Sequence, residues 1–115
     1  MASTSMQEPT RLLLTALADE PRHGYALIKE IGEVSEGRVK LRTGTLYAAL
    51  ARLQQQGWVE VTGEEVIDGR HRRYYALTRA GADALAEETE RLRAAVREAD
   101  RRLQLRLGGA GGVTA

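Results

Sequence analysis

The spacing of apolar residues changes at one point in this chain, and that change limits what can be built around it. Leu46, Leu50 and Leu53 recur at i, i+4 and i+7, one face of an α-helix, whereas Val59 and Val61 alternate with Glu60 and Thr62 as in a strand. Gly57 stands between the two patterns and ends the helix, which is expected from about Thr43 to Gln56 with Thr43 as N-cap. The strand segment WVEVTGEEVI runs into the turn sequence DGRH and then into RRYYAL, which places Tyr75 and Leu77 on one side and Tyr74 on the other. The two strands read as a hairpin.

Two helices are expected before this pair. TRLLLTALADE follows Pro9, which suits a first helical turn; Leu12, Leu13, Ala16 and Leu17 give it an apolar face, and Pro21 stops it. RHGYALIKEIGEVSEG reads as the second, with Tyr25, Ile28 and Ile31 on one side, Ala26 and Leu27 extending that side, Gly24 at its start, and Gly37 just past its end. After the hairpin a single helix opens at Thr78 and continues to about Leu107, on the order of 45 Å at about 1.5 Å per residue. Leu85, Thr89, Leu92, Val96, Ala99 and Leu103 follow one another at heptad spacing along it, while Arg and Glu alternate over its other faces as on a solvated surface.

Three short helices, a hairpin and a long helix are the order of a winged helix-turn-helix, so the expected class is mainly α with a small β-hairpin and a C-terminal dimerisation helix. The expected divisions are an unstructured 1–8, a winged domain over 9–77, the dimerisation helix over 78–107 and a flexible tail, GGAGGVTA, over 108–115. The seam residues Leu85, Leu92, Val96, Ala99 and Leu103 have no partner left in a domain whose core three helices and a hairpin already fill. Two copies would bury them in a two-fold interface, so a homodimer is expected. A length of 115 residues with 43% apolar content suits one small domain, which association of two copies would help to stabilise.

A net charge of +1 says little about partners, but its distribution says more. Four basic residues and no acid lie between Arg38 and Arg52, and four more with no acid between Gly69 and Arg79. Two local cationic patches suit contact with a polyanion. In a winged helix-turn-helix the third helix lies in the major groove with its first residues nearest the bases. With Leu46, Leu50 and Leu53 inward, Thr45, Ala48 and Arg52 fall on the opposite face; Gly44 leaves room for a phosphate at the helix start, and Thr43, Thr45 and Tyr47 offer hydroxyls. Lys40 and Arg42 stand just ahead of the helix, and Arg70, His71, Arg72 and Arg73 form a basic wing. Each has a plainer alternative: Thr43 as a cap only, Tyr47 as a packing residue.

Other functions find less in the sequence. It holds no cysteine, no Gly-rich phosphate loop beside a strand and no cluster at metal-ligand spacing, so an enzyme is not expected and no cofactor is implied. The cysteine count fits a reducing cytoplasm, and neither a membrane span nor a secretion signal is seen. His23 and His71 leave open a metal-responsive regulator, although His23 reads better as a turn or cap residue and His71 as part of the wing. A winged helix used for protein contacts is a further alternative; such modules usually lose the basic character that this third helix and wing keep.

The stretches LLLTALADEPRHGYALIKEI, TGTLYAALARLQQQGWVE and GRHRRYYALTRAGADAL resemble the PadR-type transcriptional regulators in order and spacing. The single helix after the wing is similar to the family's smaller subgroup. The resemblance implies a homodimeric repressor on an inverted-repeat operator, released by a small-molecule effector, often a phenolic or drug-like compound. By position it implies that Tyr25, Thr43 to Thr45, Tyr47 and Arg70 to Arg73 face DNA. Two departures stand out. Arg42 occupies a position that often holds Ser or Pro, and the one tryptophan, Trp58, lies at the helix–strand junction instead of in the last helix, where some drug-binding members stack it on a ligand.

Overall fold

The computed structural model of the chain describes residues 6–108; the expectations for 1–5 and 109–115 fall outside the described residues. The elements are α1 (Glu8–Ala16), β1 (Arg22–His23), α2 (Gly24–Val34), α3 (Thr43–Gln55), β2 (Val59–Ile67), β3 (Arg70–Leu77) and α4 (Arg79–Leu107). The strands form one antiparallel sheet in the order β1-β3-β2. The helical class and the hairpin agree with the sequence reading. The third strand is new: Arg22 and His23 pair with Tyr75 and Tyr74 on the free edge of β3. Two residues have no period to read, and only the neighbouring edge makes them a strand.

The core is a mainly aliphatic cluster drawn from α1, α2, α3, β2 and β3. Leu12, Leu13 and Leu14 of α1, Leu27 and Ile31 of α2, and Leu46, Leu50 and Leu53 of α3 are buried, with Val59 and Tyr75 closing the sheet side. α1 ends at Ala16, well before Pro21, and Leu17 stays buried as its C-cap. It begins at Glu8, and Met6 packs on the core, so residues 6–8 are not the unstructured lead expected. In α2 the inward face is fixed by Leu27 and Ile31. Tyr25 lies about 200° around the helix from Leu27 and is 77% exposed, which corrects its expected place on the apolar side.

Helix ends explain the turns between elements. Gly57, at φ 80°, lets α3 close with paired bonds, Gly57 N–H to the Gln54 carbonyl and Trp58 N–H to the Leu53 carbonyl, each 3.0 Å. α3 starts one residue earlier than the capping argument required. Arg42 is its N-cap and Thr43 its first helical residue, with no side chain capping the free amides. The α2–α3 connection is tied by buried Ser35, whose Oγ accepts from Val39 N–H at 3.0 Å. Along it Val39 and Leu41 pack on the core, and the alternation leaves Lys40 and Arg42 exposed.

Asp68 and Gly69, with φ of 52° and 75°, form the two-residue hairpin loop between Ile67 and Arg70. A bulge at Thr62 interrupts the pairing, since Val61 pairs with Tyr75 but Gly63 with Tyr74. The extra residue shifts the alternation by one. Before it Val59 and Val61 share a face with Leu77 and Tyr75; beyond it Glu64 and Val66 share that side with Arg73 and His71, while Glu65 and Ile67 lie with Arg72 and Arg70.

Thr78 caps α4: its Oγ1 accepts from Gly81 N–H at 3.0 Å and donates to the Gly57 carbonyl at 2.6 Å. The chain divides into two units, one ending at Leu85 and one beginning at Ala86. Leu85, expected in the dimer seam, is partly buried and packs on the core of the first unit. In the second, Glu98 pairs with Arg101 and Arg102 at 2.7 and 2.6 Å, and Glu90 with Arg93 at 3.1 Å, so the alternating charges satisfy one another along the helix. Among the described residues no helix is long and apolar enough to cross a membrane.

Two glycines should respond oppositely to alanine. A Cβ on Gly81 would lie 2.1 Å from the Trp58 carbonyl oxygen, whereas one on Gly32, inside α2, would meet nothing within 4 Å. Gly81→Ala should lower unfolding free energy by about 1–3 kcal/mol, and Gly32→Ala should raise it by about 0.5–1 kcal/mol. Urea denaturation of both variants checks the difference in sign.

Candidate nucleic-acid interface

The start of α3 is open. Its first intrahelical bond, Leu46 N–H to the Arg42 carbonyl at 2.9 Å, leaves the amides of Thr43, Gly44 and Thr45 without a helical acceptor. Thr43, Gly44, Thr45, Tyr47 and Ala48 are exposed, because the burial of Leu46, Leu50 and Leu53 turns that side outward. A side chain at Gly44 would meet nothing within 4 Å, so an incoming group finds space there. Lys40 and Arg42 are exposed immediately before the helix, and among the described residues neither forms an ion pair.

Tyr47 both packs and reaches the surface. It is 44% exposed, yet its phenol lies across the start of α2, where a Cβ on Gly24 would be 2.1 Å from the hydroxyl oxygen. Gly24 therefore lets α3 and α2 approach, and exposed Tyr25 stands beside it. His23, the preceding residue, continues the surface to the wing. It pairs with Tyr74 in the sheet, and the two rings meet edge to face with centroids 5.4 Å apart. Tyr74 donates to Glu65 at 2.7 Å across the hairpin, and this bond, above all, holds its phenol proton more tightly than usual. Tyr47, Gly24, Tyr25, His23, Tyr74 and the wing thus form one connected run of residues.

The wing is less simply cationic than its GRHRR sequence. Glu64 lies opposite Arg73, 2.6 Å from His71 Nε2 and 3.9 Å from Arg73 Nε. Glu65 lies opposite Arg72. Among the described residues Arg70 forms no ion pair. Arg38, part of the first basic patch, is met by Glu8 of α1 at 2.6 Å, and that bond draws the Glu8 carboxyl below its usual range. Arg52 is exposed on the same face as Thr45 and Ala48, but its guanidinium turns to Thr10 Oγ1 at 3.4 Å and is not gathered with the residues at the helix start.

Tyr74, Glu64 and Glu65 are residues of this surface that the sequence reading did not single out, whereas His23, read as a turn or cap residue, does cap α2 by accepting from Ala26 N–H. A two-residue Asp-Gly loop sets the register by itself, so the Glu64–Arg73 and Glu65–Arg72 pairs could have been found by counting outward from Asp68 and Gly69. His23 and His71 are not drawn into a metal site: among the described residues there is no group of three His, Asp or Glu placed to hold an ion.

A helix-turn-helix with an open recognition-helix start and a β-hairpin wing defines a winged-helix DNA-binding protein. Residues 13–87 match the family model described as the transcriptional regulator PadR-like family. The chain belongs to that family, whose members are DNA-binding regulators of transcription and not enzymes. A transcriptional regulator of Mycobacterium tuberculosis is 38% identical over 86 residues, covering 75% of this chain and 77% of that protein. A PadR family transcription regulator from Clostridium difficile has a similar structure at TM-score 0.67 and 26% identity, covering 82% of this chain and 96% of that one. A second, from Eggerthella lenta, aligns at TM-score 0.66 and 25% identity over 84% of this chain and 81% of its own.

Because Glu64 sits opposite Arg73 and against His71, neutralising it should leave more positive charge for phosphates. Glu64→Gln should tighten binding to any duplex by about two- to fivefold and steepen the fall of log affinity with log salt. Fluorescence anisotropy at several salt concentrations checks both.

Proposed function

We propose that this protein is a sequence-specific repressor that binds an inverted-repeat operator as a homodimer and leaves it when a small molecule binds. The observation that carries the DNA contact is the connected run from the open start of α3, through Tyr47, Gly24 and Tyr25, to the His23–Tyr74 contact and the wing. In this reading the free amides at Thr43 to Thr45 take a backbone phosphate, as helix N-termini do. Thr45 and Ala48 face base edges, where Ala48 suits a thymine methyl. Tyr25, Tyr47, Lys40, Arg42 and the wing residues Arg70, His71, Arg72 and Arg73 hold the backbone, which sets register without reading sequence. Arg42 is the candidate for an operator preference of this chain's own.

Support for the dimer comes from the second unit. Val96 and Leu103 are 58% and 55% exposed, Leu107 is exposed on the same side, and Leu92 is half-buried. Such an apolar stripe on a charged helix is the seam of a helix pair. Ala99 completes it. A two-fold pair would set its recognition helices about 34–36 Å apart, the spacing of half-sites on one duplex face. Trp58 packs against the core, so no tryptophan of the last helix stacks on an effector in this chain.

Footprinting on the DNA upstream of the protein's own gene tests the operator claim. Protection of two symmetric half-sites is expected; equal affinity for that DNA and a random duplex would leave a DNA-binding protein that reads no operator. Arg72→Ala with Arg73→Ala should weaken binding to all sequences and reduce the salt slope by up to about 2. Unchanged affinity would mean that the wing does not touch DNA. Leu92→Glu or Val96→Glu should give monomers with weak operator binding, and sedimentation that still reports a dimer would place the seam elsewhere.

A further inference from the structure

We propose that His23 is a positioning residue which holds the wing to the start of α2 only while its imidazole is neutral, so that acid weakens DNA binding through this side chain. The DNA-binding part rests on the reading above. The geometry stands without it.

His23 closes β1 and caps α2. Its backbone pairs with Tyr74, and its Nδ1 accepts from Ala26 N–H at 3.3 Å. Accepting that bond requires the Nδ1 lone pair, which a protonated imidazole lacks. The ring's edge-to-face contact with Tyr74 continues through the Tyr74–Glu65 bond to both strands of the wing. One ring therefore fixes the helix start on one side and the hairpin on the other.

The charges around the ring are those of the wing and the helix. Arg72 of β3 opposes a proton on it, Glu65 of β2 favours one, and the Tyr74 phenol is held by Glu65. The amides that open α2 present the positive end of the helix dipole, which also opposes a cation. Arg22, next in the chain, is occupied by Asp19, Glu20 and Glu30. Burial first, and Arg72 second, push the imidazole below its ordinary 6.5. The native state thus binds fewer protons than the unfolded chain at mildly acid pH. The stabilisation is complete at neutral pH and is lost as pH falls from 6.5 through the lowered native value.

His71, the other histidine, lies against Glu64 on the opposite face of the hairpin, and a proton there would add charge that favours DNA. The test therefore uses the His71→Gln protein with and without His23→Asn. Asparagine can accept from Ala26 N–H through its amide oxygen and does not titrate near neutrality. Binding to a duplex from the upstream region is measured by anisotropy at pH 7.5 and 5.5, at constant ionic strength. Without DNA, the Ala26 amide and the His23 ring are followed by NMR across the same range.

His71→Gln alone should lose affinity on acidification by up to about tenfold per unit of displaced pKa, and its Ala26 amide should shift along the His23 titration. Adding His23→Asn keeps a helix cap but removes the ring contact with Tyr74, so binding at pH 7.5 should weaken, and what remains should no longer fall on acidification. An equal acid loss with His23→Asn, no loss in its absence, or an Ala26 amide indifferent to the His23 titration would overturn the proposal. If no variant binds DNA at pH 7.5, the DNA-binding reading fails, and the Ala26 titration still decides whether the neutral ring holds the helix start.

Discussion

The rotation of α3 about its own axis is the constraint on which the rest of the site depends. Leu46, Leu50 and Leu53 are almost fully removed from solvent among Leu13, Leu14, Leu27 and Ile31. Burying three leucines contributes several kcal/mol, at about 1.5–3 kcal/mol for each side chain. Turning the helix far enough to hide Thr45 or Ala48 would expose them again. The core therefore does more than stabilise the domain: it dictates which residues of α3 face outward, and leaves its first amides open to a ligand.

The same core brings α2 and the sheet to that surface. Gly24 is buried beneath Tyr47, and His23 is held on the edge of β3, so the start of α2 lies between the recognition helix and the wing. Positive charge is then moderated locally. Glu8 meets Arg38, Glu64 meets His71 and Arg73, and Glu65 takes the Tyr74 hydroxyl, while Lys40, Arg42 and Arg70 keep theirs unpaired among the described residues. A protein that must release nonspecific DNA gains from such moderation, because each unpaired cation adds sequence-independent affinity. In the proposed function the bases are read by the uncharged end of α3.

The sequence by itself determined the class of fold and the outward face of α3. The change from a spacing of four and three to a spacing of two at Gly57, the Asp-Gly loop, and Thr78 ahead of a long charged helix are local signals, set by backbone propensity and side-chain period within a few residues. They are legible because the physics that produces them is local. Tertiary structure decided what depends on neighbours distant in the chain: the strand at Arg22 and His23, which exists only beside β3; the outward turn of Tyr25, fixed by where Leu27 and Ile31 find the core; the packing of Leu85 on that core; and the bulge at Thr62, which puts Val59 and Val61 on the side that Glu64, Arg73 and His71 share. Burial, and pairing between segments far apart in the chain, are properties of two segments at once, and no single stretch of sequence carries them.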